Sequence, residues 1–274
     1  MVVRVKVALA QLPEHADDDR VVVTENAVVV LDGSSGSGDG SIKPGVFAER
    51  IGQYLAAEMT QNSETDLKIC LERALAKEVN EFGLHPGVRP STTISMFRLS
   101  HGQVEVLVLG DSPVIVGGIR FTKVITDLRL DDLDLEEVRK YRERLRSGGG
   151  YDLEHERLVA GLRQRQGDYR NRPGGFWVAC DDPNAARYAV VARFDAADVR
   201  WIVMATDGAA KPLMHLGWDD WGQIAWLDGA QLKVLLERCH RWEAKDDPDG
   251  VSLPRSKRHD DKTLVAIRIK EELP

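Results

Sequence analysis

Three apolar runs of this chain stop on an aspartate: Val28-Val29-Val30-Leu31-Asp32-Gly33, Val106-Leu107-Val108-Leu109-Gly110-Asp111 and Trp201-Ile202-Val203-Met204-Ala205-Thr206-Asp207-Gly208. Short runs rich in β-branched residues and closed by a turn signal suit buried strands better than helices. A carboxylate at such a strand end is costly to bury unless something positive meets it, and the glycine after Asp32 lets a ligand come close to the backbone. Asp-Gly is also the commonest way to leave a strand by a turn, so one copy of the pattern identifies nothing. A further acidic pair, Asp260-Asp261, stands just before the last apolar run at residues 263–269. In antiparallel neighbours the end of one strand and the start of the next share a sheet edge, so these aspartates can converge.

The remaining pattern supplies strands and helices to carry them. Residues 2–10 alternate apolar and basic side chains and read as a half-exposed strand; residues 20–24 read as a second, and Glu25-Asn26 as the turn leading to the strand at 27–31 that leaves Asp32 at its end. Pro44 suits the first turn of a helix bearing Phe47, Ile51, Tyr54, Leu55 and Met59. A second helix is expected over 63–82, capped by Asn62 or Ser63 and stopped by Gly83. Strands are expected at 92–99, 104–109, 114–116, 175–179, 187–194, 201–206 and 263–269, a helix at 230–240 and a polar loop at 245–257. Residues 128–166 are highly charged, with two helical pieces broken at Gly148-Gly149-Gly150. The expectation is one domain over 1–274 carrying this charged helical insertion.

A net charge of −7 argues against a general nucleic-acid binder, whose affinity rests on neutralising phosphates. Residues 1–10 lack the apolar core of a signal peptide, and no later run approaches the length of a membrane span, so no membrane partner and a cytoplasmic location are expected. Cys70, Cys180 and Cys239 lie far apart and read as reduced structural thiols. Cys180 and Arg187 do not make a cysteine-phosphatase loop, because six residues intervene where five are needed and none of them is glycine. The arginines of the charged segment, Arg139, Arg142, Arg144, Arg146, Arg157, Arg163 and Arg165, could dock an acidic phosphoprotein, but beside many glutamates they read rather as the solvated face of its helices.

Converging carboxylates repel and raise one another's pKa, which implies hard cations with oxygen ligands, magnesium or manganese and not zinc. Two such ions can ionise a water and polarise a phosphoryl group for in-line attack, the chemistry of phosphate-ester hydrolysis. Asp32-Gly33, Gly110-Asp111-Ser112, Ala205-Thr206-Asp207-Gly208 and Asp260-Asp261-Lys262-Thr263 occur in the order and approximate spacing of the metal-dependent PP2C (PPM) protein phosphatases, bacterial type. The chain resembles that family over nearly its whole length. The resemblance implies an α+β fold, a four-layer αββα sandwich of two antiparallel sheets flanked by helices. It implies hydrolysis of phosphoserine or phosphothreonine in proteins by a metal-activated water, with two or three Mg2+ or Mn2+ ions, a phosphoprotein substrate and a cognate kinase as partner.

Carried over by motif, Asp32 bridges the two ions, Gly33 offers its carbonyl, Asp207 and Asp260 hold the second ion, and Asp111 matches the ligand of a third. The family's Glu-Asp before the hairpin corresponds here to Asp18-Asp19, with a shorter first carboxylate. Its phosphate-gripping arginine has no counterpart in Leu12-Pro13-Glu14-His15, and Ser34 stands where a histidine is common. His15, or Arg258 in the basic stretch beside Asp260, is the substitute phosphate contact this sequence offers. Two alternatives stay open: a phosphatase-like binding protein with little or no turnover, and a hydrolase of a small phosphate ester.

Overall fold

The computed structural model describes residues 3–13, 17–35, 42–84 and 90–271. The chain opens with β1 (Val3–Leu12), β2 (Arg20–Val23) and β3 (Ala27–Ser35), followed by α1 (Pro44–Gln61) and α2 (Leu67–Phe82). Next come β4 (Pro90–Ser100), β5 (Gln103–Leu109), β6 (Val114–Gly118) and β7 (Thr122–Ile125), then α3 (Glu136–Arg146) and α4 (Leu153–Gly167). β8 (Val190–Asp195) and β9 (Val199–Ala205) precede α5 (Asp207–His215), α6 (Trp221–Ile224) and α7 (Gly229–Lys245), and β10 (Lys262–Glu271) closes the order. The strands make two five-stranded antiparallel sheets, β1-β10-β9-β6-β7 and β2-β3-β4-β5-β8.

Period two decides how the layers stack. Val28 and Val30 of β3, with Phe97, Val106 and Val108, meet Ile202, Met204, Val265 and Ile267 of the other sheet in a dry core between the sheets. The alternate residues Val29, Leu31, Met96 and Leu107 face outward onto Phe47, Ile51 and Leu71 of α1 and α2. On the far side Val203, Leu264 and Ala266 pack on Leu213, Leu232 and Leu236 of α5 and α7. Each fully buried aliphatic or aromatic side chain is worth about 1.5–3 kcal/mol, so a one-residue slip of β3 would invert both faces and is strongly disfavoured. The outcome is a helix–sheet–sheet–helix sandwich, and α3 with α4 forms a small satellite core of its own around Tyr141, Leu145 and Leu162.

Several expected elements are corrected. β3 does not end at Leu31: Asp32 pairs with Thr93 and Gly33 with Thr92, so the backbone ladder carries the strand on to Ser35. Residues 175–179 form isolated bridges only, because β5 stops opposite Ile94 and leaves room for Ala179 to bond Thr92 alone. α2 is capped by the Asp66 carboxylate, which accepts from Lys68 N at 2.8 Å, and not by Asn62 or Ser63. The strand expected from 187 starts at Val190, since Pro183–Tyr188 curls into a 3-10 turn behind the Asp182 cap. β7 and α5 were not anticipated; Pro212 inside α5 obscures its helical periodicity. All three cysteines are free and buried. Among the described residues no helix is long and apolar enough to cross a membrane.

Candidate active site

Asp32 takes the next inner-face position after Val28 and Val30, at the end of β3 where the core between the sheets opens. Gly33 beside it is required by close approach: a Cβ there would meet Asp18 O at 2.9 Å, and Gly33 N already donates to that carbonyl at 3.3 Å. Asp111 follows β5 directly after Gly110. Asp207 is the first residue of α5, where the helix dipole favours a negative charge. Asp260 lies two residues before β10, which pairs with β9 through Leu264 and Ala205 and so brings the start of one strand beside the end of the other. A Cβ on Gly208 would fall 2.1 Å from Asp261 O, so glycine lets the first turn of α5 lie against the segment bearing Asp260.

Asp32, Asp111, Asp207 and Asp260 therefore line one cavity of about 270 Å³, together with Gly33 and Lys211. Burial raises the Asp32 carboxyl well above its ordinary value, and the neighbouring charges of Asp19, Asp207, Asp260 and Asp111 raise it further. Asp111 and Asp260 are also raised, first by burial. Asp207 goes the other way: burial raises it, but the Lys211 ammonium and hydrogen bonds from Lys211 and Asp32 bring it below the usual range.

Two lysines reach into the cluster. Lys211 Nζ bonds Asp207 Oδ2 at 2.6 Å and lies 3.4 Å from Asp111 Oδ2, while Lys257 Nζ bonds Asp260 Oδ1 at 2.9 Å. Asp19 and Asp18 stand behind the cavity wall instead of lining it. Thr206 and Thr263 continue the inner faces of β9 and β10, and their hydroxyls donate to Asp19 Oδ2 at 3.0 and 2.6 Å. Burial still raises Asp19 to about 7. Asp261 Oδ2 accepts from the backbone N–H groups of Asp18 at 2.8 Å and Asp19 at 3.3 Å, which ties the β1–β2 connection to the β10 edge.

An all-carboxylate donor set whose members raise one another's pKa fits a hard divalent ion. The same cavity is also lined by Arg139 and Arg142 of α3, Arg163 of α4 and Arg170, interleaved with Asp127, Asp131 and Asp134, the last of which pairs with Arg139 at 3.7 Å. Arg170 Nε and Nη1 are buried without a hydrogen-bond partner. The chain thereby presents acidic oxygen ligands and guanidinium donors to the same space, an arrangement suited to a cation and a phosphoryl group side by side.

No protein-family model matches the sequence, and a search of curated proteins gives no match. Solved structures do match. PppA, a key regulatory component of T6SS in Pseudomonas aeruginosa, aligns over 98% of this chain and 100% of its own with a TM-score of 0.55 at 13% identity. The PPM Ser-Thr phosphatase MsPP from Mycobacterium smegmatis, in complex with cacodylate, aligns over 96% of this chain and 97% of its own (TM-score 0.52, 16% identity). The catalytic domain of the serine/threonine protein phosphatase PstP, in complex with two manganese ions, aligns over 98% and 100% (TM-score 0.51, 13% identity). The fold is that of the PP2C-like (PPM) phosphatases.

Within this PP2C-like sandwich the other anticipated residues fall as follows. His15 lies outside the described residues. Arg258 is exposed, 5.6 Å above the Tyr151 ring, and does not line the cavity. Arg255 turns inward to Asp247 Oδ2 at 2.7 Å, so of the basic stretch it is Lys257 that reaches the aspartates. Sequence reading missed Lys211 and Arg170, and set Arg139, Arg142 and Arg163 aside as a solvated face. The lysine carries a local signal, one helical turn after Asp207, but only if α5 is recognised. The arginines carry none, because nothing in their own helices tells which face meets the aspartate edge.

Proposed function

We propose that the chain is a divalent-metal-dependent phosphatase of the PP2C (PPM) family, acting on phosphoserine or phosphothreonine in proteins. The observation that carries this reading is the convergence of Asp32, Asp111, Asp207 and Asp260 on one cavity that Arg139, Arg142, Arg163 and Arg170 also line. Asp32, Gly33, Asp207 and Asp260 would hold Mg2+ or Mn2+, with Asp111 beside them and Asp18 and Asp19 supporting from behind. Ions held there supply Lewis acidity toward a phosphomonoester.

The chain's own residues do the rest. Lys211 keeps Asp207 ionised, and the threonine hydroxyls fix Asp19 behind Asp32. The unpartnered N–H groups of Arg170 offer donors to phosphate oxygens, and Arg142 and Arg163 add charge beside them. The choice of a phosphoprotein substrate is supported by the several arginines at the cavity, which suit a phosphorylated segment.

The test is hydrolysis of p-nitrophenyl phosphate and of a phosphothreonine peptide with and without Mn2+. Metal-dependent turnover of both that is lost in Asp207→Ala is the expected result. A second reading, a phosphatase-like binding protein, is favoured by Lys211 and Lys257, whose ammonium groups already occupy oxygens of Asp207 and Asp260. No turnover with Mn2+, alongside retained phosphopeptide binding, selects it.

A further inference from the structure

Beside the Asp260 segment, α7 and the residues leading into β10 bring a second set of ligand-type side chains together, Glu243 bordering a small pocket that Asp207 and Asp260 also line. His240 and Glu243 stand three residues apart on α7 and so share a helix face. His259, directly before Asp260, meets them: its Nδ1 lies 3.0 Å from Glu243 Oε2, and its ring centroid is 4.2 Å from that of His240. One ligand atom from each of the three can be chosen so that all lie within 4.8 Å of one another. We propose that His240, Glu243 and His259 form a binding site for a zinc-class divalent ion, distinct from the aspartate cluster.

The donor chemistry differs from that of the cavity. Two imidazoles and one carboxylate suit zinc, nickel or copper, whereas magnesium and manganese prefer the all-oxygen set of the aspartates. Ligand atoms about 2.0–2.1 Å from a tetrahedral zinc lie roughly 3.3 Å apart, close to the observed His259–Glu243 separation. The carboxylate is already oriented for this role. Lys262, fully buried, bonds Glu243 Oε1 at 2.8 Å and leaves Oε2 toward the imidazoles, as partners behind metal ligands do.

His240 is solvent-exposed, so three protein ligands leave the fourth position open to water or to an added ligand. The same Lys262 ammonium bonds Asp260 O at 3.1 Å. An ion at this site therefore clips the segment carrying Asp260 to α7. Within the described residues it is a fastener between a helix and the edge of the aspartate cluster.

The test uses the full chain, stripped by chelation, saturated with Mg2+ to occupy the aspartate cluster, and titrated with Zn2+ by calorimetry. Metal content after desalting gives the stoichiometry. Wild type is expected to retain about one zinc per chain, with affinity at least tenfold weaker in His240→Ala and in His259→Gln. Because His240 is exposed, His240→Ala keeps the fold, which a circular dichroism melt in EDTA checks. Asp207→Asn is expected to leave the zinc site unchanged, which separates this site from the proposed phosphatase centre. Cobalt substitution gives a second readout, a visible absorption band that both histidine variants lose. A wild type that keeps no zinc, or zinc kept equally well by both histidine variants, overturns the proposal.

Discussion

Lys211 Nζ sits 2.6 Å from Asp207 Oδ2, one turn back along α5, and 3.4 Å from Asp111 Oδ2, so a side-chain ammonium stands between two carboxylates of the cluster. Lys211→Met keeps the aliphatic stem and removes the charge. The metal-free protein is expected to lose about 1–2 kcal/mol, a modest figure because half of the lysine side chain is open to solvent. Mn2+ binding is expected to tighten, since Asp111 and Asp207 lose their competing cation. Calorimetry on both proteins checks this, and weaker Mn2+ binding in the variant would refute the competition.

Asp32 is repelled by Asp19, Asp207, Asp260 and Asp111, so its removal has opposite effects on stability and on binding. Asp32→Asn is expected to raise the melting temperature in EDTA. The same change lowers Mn2+ affinity by about tenfold or more, roughly 1.4 kcal/mol. A variant that melts lower without metal contradicts the repulsion read from the geometry.

Thr263 Oγ1 donates to Asp19 Oδ2 at 2.6 Å in the buried interior. Thr263→Val leaves that carboxylate short of a donor and is expected to cost about 1–3 kcal/mol. Urea unfolding in wild type and variant measures it. Thr263→Ser, which keeps the hydroxyl, is expected to recover most of the loss.

Folded, Asp19 titrates near 7; its ordinary value is 3.8. Between those values the folded chain binds a proton that the unfolded chain has released, so this group makes stability fall as pH rises from about 4 to about 7 and flatten above. The loss attributable to Asp19 is at most about 4 kcal/mol. Saturating Mn2+, which offsets the crowded negative charge, is expected to flatten the slope. Urea midpoints at about pH 5 and about pH 7.5, with and without Mn2+, test it; a metal-free protein more stable at the higher value runs against the sign.

Arg142 and Arg163 line the same cavity as the aspartates. Reversing both charges, Arg142→Glu with Arg163→Glu, is expected to raise KM for a phosphothreonine peptide about tenfold while Mn2+ affinity changes less than twofold. An unchanged KM returns these arginines to the role of a solvated helix face.

What the sequence determined by itself is local. Alternation over β1 and β10, the continuous apolar run of β3, the apolar spacing of α1 and α7, and the placing of Asp32, Asp111, Asp207 and Asp260 next to apolar strand runs all follow from short-range pattern. Each depends only on which side of its own backbone a residue faces. What the tertiary structure decided is which edges meet. β1 pairs with β10 across nearly the whole chain, and α3 and α4 settle with their arginines toward the aspartates. Lys211 reaches Asp111 beyond β5 as well as its helix neighbour Asp207, and Thr206 and Thr263 reach Asp19. The contacts of Lys211 with Asp111 and of the threonine hydroxyls with Asp19 leave no period in the chain, because those partners are chosen by sheet order and packing and not by neighbours in sequence.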